Sequence, residues 1–228
     1  MHISLKRMKT NKEKILCIFP EDPSLSFLSS LRAYLVEYYS YHVIEPTEES
    51  YNKTIELIAS MEANSLILFF GHGASHCFYG ACSDIFPQKQ LVNRSNIEIL
   101  ANKNVFALTC RSNDFFDYHK TFINDFFGFG NMPTDWEEIV AERNTGDPFY
   151  LSNINETEID VFKTILNNIV LSAFQRTDDL LNFESLYLSI KLNINKSISK
   201  LLIDKSTPNY REIANILFYM KEDILVRI

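Results

Sequence analysis

The sequence predicts an α/β fold, a three-layer α/β/α sandwich on a mainly parallel sheet, completed by a helical C-terminal part. Three observations predict it. Two unbroken apolar runs, Ser65-Leu66-Ile67-Leu68-Phe69-Phe70 and Asn104-Val105-Phe106-Ala107-Leu108-Thr109, are bounded by glycine or polar residues, as strands covered on both faces are. Short apolar runs alternate with segments of helical period from Lys14 onward, the order of a parallel sheet with right-handed crossovers. Beyond residue 150 the period is almost entirely helical.

Taken in order, the first dozen residues are polar and expected to fray. Lys14-Ile15-Leu16-Cys17-Ile18-Phe19 reads as a first buried strand, stopped by Pro20 and Pro23, with Cys17 as a small buried hydrophobe. Ser24 is the expected N-cap of a helix through Tyr39, carrying Leu28, Leu31, Leu35 and Tyr38 at helical spacing. Tyr41 to Glu45 makes a second strand, and Thr47 caps a helix over Glu48 to Met61. The third strand is the first of the two apolar runs, and it delivers Gly71-His72-Gly73. Ala74 to Lys103 is expected to be a loop with a helix at Asn96 to Ala101.

The second apolar run ends at Cys110-Arg111-Ser112, after which Ser112-Asn113-Asp114 is expected to cap a helix carrying Phe115, Phe116 and Tyr118. Phe122 to Phe127 reads as a fifth strand closed by Gly128-Phe129-Gly130, which lacks the third glycine and the Lys-Ser/Thr of a phosphate loop and reads as a turn. Thr134 and Glu137 form a candidate capping box beside Trp136, the single tryptophan, and Glu137, Glu138, Glu142 and Asp147 read as a solvated acidic face. Helices are expected over Glu156 to Phe174, over Asn182 to Ile203 and from Asn209 after Thr207-Pro208. Asp223 to Ile228 reads as a short strand returning to the sheet.

Composition bounds the function. With 228 residues, 46% hydrophobic and 13% aromatic, the chain can bury a core as one domain, residues 1–150 as the α/β part and 151–228 as its helical completion. A net charge of −7 offers no generic basic surface, so no nucleic-acid partner is expected. No apolar run approaches the ~18 residues of a membrane span, and no apolar h-region follows the basic start, so a cytoplasmic location is expected. Four cysteines show no spacing of a secreted disulfide scaffold.

Active groups in open α/β sheets collect at the carboxyl ends of strands, and here two strands end on His72 and Cys110. An imidazole beside a thiol can take its proton during attack on a carbonyl and return it to a leaving amine. Glycine at 73 lets the chain approach substrate, so the Gly73 and Cys110 amides are candidate oxyanion donors. His72, His76, Cys77 and Cys82 lie close enough in sequence to raise a zinc site, but their spacing fits no common zinc module and no metal or cofactor is expected. His76 or Cys77 could also stand in as base or nucleophile, though neither ends a strand.

The pattern of an apolar strand, His72-Gly73, then a second apolar strand ending in Cys110 resembles the caspase-like superfamily of cysteine peptidases, which includes caspases, metacaspases, gingipains, separases and the bacterial CHAT proteases. Cys110-Arg111 is similar to the Cys-Arg of animal caspases, whereas Leu108-Thr109 and Ser112 depart from them, which sets the likeness nearer the CHAT branch. The resemblance spans the first two-thirds of the chain by order of elements and rests on a few residues. It implies a regulated endopeptidase with His72 as base and Cys110 as nucleophile, acting on a protein target under an activating partner, dimerisation or self-cleavage, in bacterial defence or programmed death. Asp84 and Asp114 are candidate acids for a basic substrate side chain, from charge alone. Two other readings are a catalytically silent module with the same fold and a flavodoxin-like ligand binder, against which Pro20-Glu21-Asp22-Pro23 offers no phosphate loop after the first strand.

Overall fold

The computed structural model describes residues 14–228; the polar lead-in lies outside the described part. The first strand, β1 (Ile15–Pro20), is buried along its whole length. A 3-10 turn, Pro23–Leu28, then leads into α1 (Ser29–Tyr38). The expected Ser24 cap is corrected here: Asp22, held extended before Pro23, accepts the Ser24 N–H and caps the turn. β2 (Ser40–Ile44) and α2 (Glu48–Ser60) follow, and Thr47 caps α2 as its position predicts, accepting the Ser50 N–H. β3 (Leu66–Phe70) is the first of the two long apolar runs.

The segment expected to be a loop and a helix is a small antiparallel sheet. β4 (Gly73–Ala74), β5 (Cys77–Tyr79) and β6 (Gln90–Asn93) pair in that order, and only the 3-10 turn Ile97–Leu100 stands where a helix was expected. These runs are too short to show a period, yet Phe78, Leu91 and Val92 are buried in one apolar cluster. Tyr51 of α2 anchors the small sheet by donating its hydroxyl to the Ala81 carbonyl at 2.7 Å.

β7 (Asn104–Leu108) carries the second apolar run, and α3 (Ser112–His119) follows it. Of the strand expected over Phe122 to Phe127 only the end survives, as β8 (Phe126–Gly128). Asn124 diverts the rest: its N–H donates to Lys103 O and its side chain to Asn64 and Asn102, tying this stretch to the opposite end of the sheet. In α4 (Trp136–Thr145) the cap is Asp135, which accepts the Glu137 and Glu138 N–H groups, and not Thr134. α5 (Glu156–Arg176) begins with an Asn155/Glu158 capping box, α6 (Phe183–Asp204) with Asn182, and α7 (Tyr210–Glu222) just after Pro208. β9 (Leu225–Arg227) is the returning strand.

The architecture is mixed α/β, with a mostly parallel six-stranded sheet in the order β2-β1-β3-β7-β8-β9 and a helical C-terminal part. Only β9 runs antiparallel to its neighbour, β8. Side chains alternate between two apolar clusters along β1, β3 and β7. Cys17, Phe19, Leu68, Phe70, Phe106 and Phe127 join α1, α5, α6 and α7, while Ile18, Phe69, Val105 and Phe126 join α2 and α3. Each fully buried phenylalanine contributes about 2–3 kcal/mol relative to exposure, which is why these runs set the sheet. No helix among the described residues is long and apolar enough to cross a membrane.

Candidate functional site

β3 and β7 lie side by side and parallel, with Phe70 opposite Leu108. The Gly71 N–H still donates to Leu108 O at 3.3 Å, so the strands leave the sheet together, and His72 and Cys110 each follow two residues past that last pair. Gly73 has a structural reason to be glycine. A Cβ there would fall 2.3 Å from Thr109 Oγ1 and 3.1 Å from Cys110 O, so the missing side chain permits the close crossing of the two strand exits.

His72 is 8% exposed and faces the turn that follows β1. Its Nε2 lies 2.7 Å from Ser24 Oγ and 3.5 Å from Asp22 Oδ2. Ser24 Oγ also sits 2.7 Å from Asp22 Oδ1. An ionised carboxylate only accepts, so the single hydroxyl proton of Ser24 goes to Asp22 and Ser24 Oγ must accept from His72. Nε2 therefore carries hydrogen, and the lone pair of a neutral His72 ring is on Nδ1. Burial alone would raise the Asp22 pKa, but hydrogen bonds from the Ser24 hydroxyl and N–H, the His72 charge and the Cys82 thiol outweigh it and hold the pKa below its ordinary value. The Cys82 Sγ is 3.5 Å from Asp22 Oδ2. Sequence reasoning read Pro20 to Pro23 as a strand stop without a phosphate loop and Ser24 as a helix cap, and missed Asp22 and Ser24 as partners of His72. The available signal was that they follow a buried strand parallel to the one that delivers His72.

Cys110 is held differently. Its Sγ donates to the Met132 carbonyl at 2.8 Å, and burial, with smaller contributions from Glu138 and Asp135, pushes the thiol up to about 12 against the pull of a Met132 backbone hydrogen bond and Arg111. Among the described residues no hydrogen bond links Cys110 to His72. Arg111, directly after the thiol, has φ 56°, a left-handed conformation that non-glycine residues adopt at about 1 kcal/mol or more. That bend lets Ser112 turn inward. Rather than capping α3 as expected, its hydroxyl receives the Phe129 N–H at 2.8 Å and lies 2.9 Å from Ala107 O and 3.0 Å from Thr109 O.

No protein-family model and no curated protein matches the chain.

In keeping with the solvated acidic face expected of Glu137, Glu138, Glu142 and Asp147, Glu138 is exposed as a residue. Desolvation of its carboxyl, together with Asp135 and Asp22, raises its pKa, and the His72 charge opposes the rise. Its field reaches Cys110 as well, so it lies within electrostatic range of both candidate groups. The other acids are farther from this centre in role. Asp84 sits in the exposed Ser83 to Phe86 turn, and Asp114 pairs with Arg111 at 3.3 Å. His76 is exposed, whereas Cys77 is buried within β5 and its pKa raised by that burial. Among the described residues no three of His, Cys, Asp and Glu come together as a metal-holding group. Gly73 lies opposite Phe78 in the small sheet, whose Tyr79 N–H donates to His72 O at 3.0 Å and steadies the His72 backbone.

Proposed function

We propose that the chain is a cysteine endopeptidase on a caspase-like three-layer α/β/α sandwich, with Cys110 as nucleophile and His72 as base. The observation that carries this reading is the in-register parallel pairing of β3 and β7, which ends two residues before each group. In the reaction the thiol turns from Met132 O and gives its proton to His72 Nδ1 while sulfur bonds to the scissile carbonyl carbon. The carbonyl π pair moves onto oxygen, held by the Gly73 and Cys110 N–H groups. Collapse of this oxyanion breaks the C–N bond, and His72 returns the proton to the leaving amine. Water then gives a proton to His72, its oxygen bonds to the thioester carbon, and the departing sulfur recovers the proton. Asp22, acting through Ser24, is a positioning residue that keeps Nε2 hydrogen-bearing.

The target is a protein and the trigger a partner, dimerisation or self-cleavage, consistent with a defence or death switch. Digestion of an unbiased peptide library by wild type, Cys110→Ala and His72→Ala tests the reading. Cuts made by wild type alone support it; identical patterns from all three overturn it.

The Cys110–Met132 bond favours a second reading, a silent module that keeps the fold without turnover. Labelling with iodoacetamide separates the two. An active dyad alkylates at Cys110 faster in wild type than in His72→Ala, and a silent thiol reacts slowly and equally in both.

A further inference from the structure

α6 has two apolar faces, and only one of them meets the core. Phe183, Leu186, Ile190 and Ile194 join the cluster that covers one side of the sheet. On the opposite side Leu188 and Leu192, one turn apart, are 60% and 50% exposed, and Ile203 near the helix end is 81% exposed. At 3.6 residues per turn these three fall on one stripe about 22 Å long, with Asn195 and Ser199 between them. α7 widens the stripe. Lys221 Nζ lies 3.4 Å from Asn195 Oδ1 and 4.7 Å from the centre of the Phe218 ring, and Phe218 meets Tyr219 edge-on at 5.7 Å. Both aromatic residues are exposed. Lysines border this surface. Between Glu184 and Asp204 the helix carries Lys191, Lys196 and Lys200 and no acid, in a chain whose net charge is −7. Lys191 and Lys196 stand on opposite flanks of the stripe. Glu222 pairs with Lys221 at 3.1 Å, whereas among the described residues Lys196 and Lys200 form no salt bridge.

We propose that the outer face of α6, with Phe218 and Tyr219, docks the protein on an anionic phospholipid bilayer. The leucine, isoleucine and phenylalanine side chains enter the acyl boundary, and the lysine heads lie among the phosphates. An apolar line along one helix, flanked by cations on long flexible stems, is the pattern of a helix that rests in the plane of a membrane. Each lysine near such a surface adds an attraction that a neutral bilayer does not supply. Charge decides against a second copy as the occupant, because a twofold contact through this face sets Lys191, Lys196 and Lys200 against the same lysines. The stripe also runs along the outward side of the helix with short polar residues at its middle, which suits a plane and gives a partner helix no groove to lie in. Docking is peripheral, since no helix among the described residues is long and apolar enough to cross a membrane. The inference stands apart from the peptidase reading and needs neither Cys110 nor His72.

Co-sedimentation of the full chain with vesicles tests this, one set of phosphatidylcholine alone and one of equal parts phosphatidylcholine and phosphatidylglycerol. The chain is expected to pellet with the anionic vesicles and far less with the neutral ones, and the difference should shrink as added salt screens the lysines. Leu188→Ser with Leu192→Ser, and Lys196→Gln with Lys200→Gln, alter exposed side chains and should each weaken binding about tenfold. Their melting temperatures should match wild type, so that lost binding reports the surface and not the fold. Binding left unchanged by either pair, equal binding to both kinds of vesicle, or binding to neither overturns the proposal. Analytical ultracentrifugation covers the rival occupant: a dimer that the two serine changes dissolve, without any vesicle binding, overturns the membrane and assigns the face to a second copy.

Discussion

Gly73 crosses Thr109 so closely that a single added methyl would lie 2.3 Å from Thr109 Oγ1 and 3.0 Å from its Cβ. Thr109 is itself buried at the root of the Cys110 bend and has little room to give. Gly73→Ala should therefore destabilise the fold by about 3 kcal/mol, the upper range for overpacking. Gly73→Ala combined with Thr109→Ala should recover part of this, since the hydroxyl is gone and only the Cβ contact remains. Urea unfolding of the four proteins in the cycle measures the coupling, and strictly additive effects would contradict the crossing.

Ser112 holds the Cys110 bend from beneath. Removing its hydroxyl leaves the buried Phe129 N–H without an acceptor, so Ser112→Ala is expected to lower stability by about 2 kcal/mol. Amide exchange at Phe129 should accelerate along with it.

Asp22 makes a pH-dependent contribution. Its folded pKa is depressed, so its stabilisation is present above the ordinary carboxylate value of about 3.9 and is lost as pH falls through the lower folded value. Asp22→Asn keeps a cap oxygen but loses the charge, and should be less stable than wild type by about 1 kcal/mol at pH 7. The two melting curves should converge as the solution is acidified below about pH 4.

Glu138 has the opposite sign. Its folded pKa is raised, so the wild type loses stability as pH rises from the ordinary glutamate value of about 4.3 through the folded value. Glu138→Gln should melt above wild type at pH 8 and level with it near pH 4. A gap that widens on acidification would refute the desolvated-carboxylate account.

Much of this architecture is written in local pattern. The runs ending at Phe70 and Leu108 form strands because residues apolar on both faces have to be covered on both faces, and Thr47 caps α2 because its hydroxyl reaches an N–H three residues away. Signals shorter than one period misled: Cys77 to Tyr79 became a strand, and Phe122 joined no strand once Asn124 found partners at Asn64 and Asn102.

The amino-acid order by itself determined the long buried strands, most of the helices, the two-faced sheet and the delivery of His72 and Cys110 from the ends of two strands. Tertiary structure alone decided which atoms those two groups touch. Ser24 reaches His72 across 48 residues and Met132 reaches Cys110 across 22, over turns whose paths are set by burial elsewhere. Hydrophobic period is a property of neighbours along the chain, whereas a hydrogen bond between distant side chains depends on register, loop path and the space left after the core has closed.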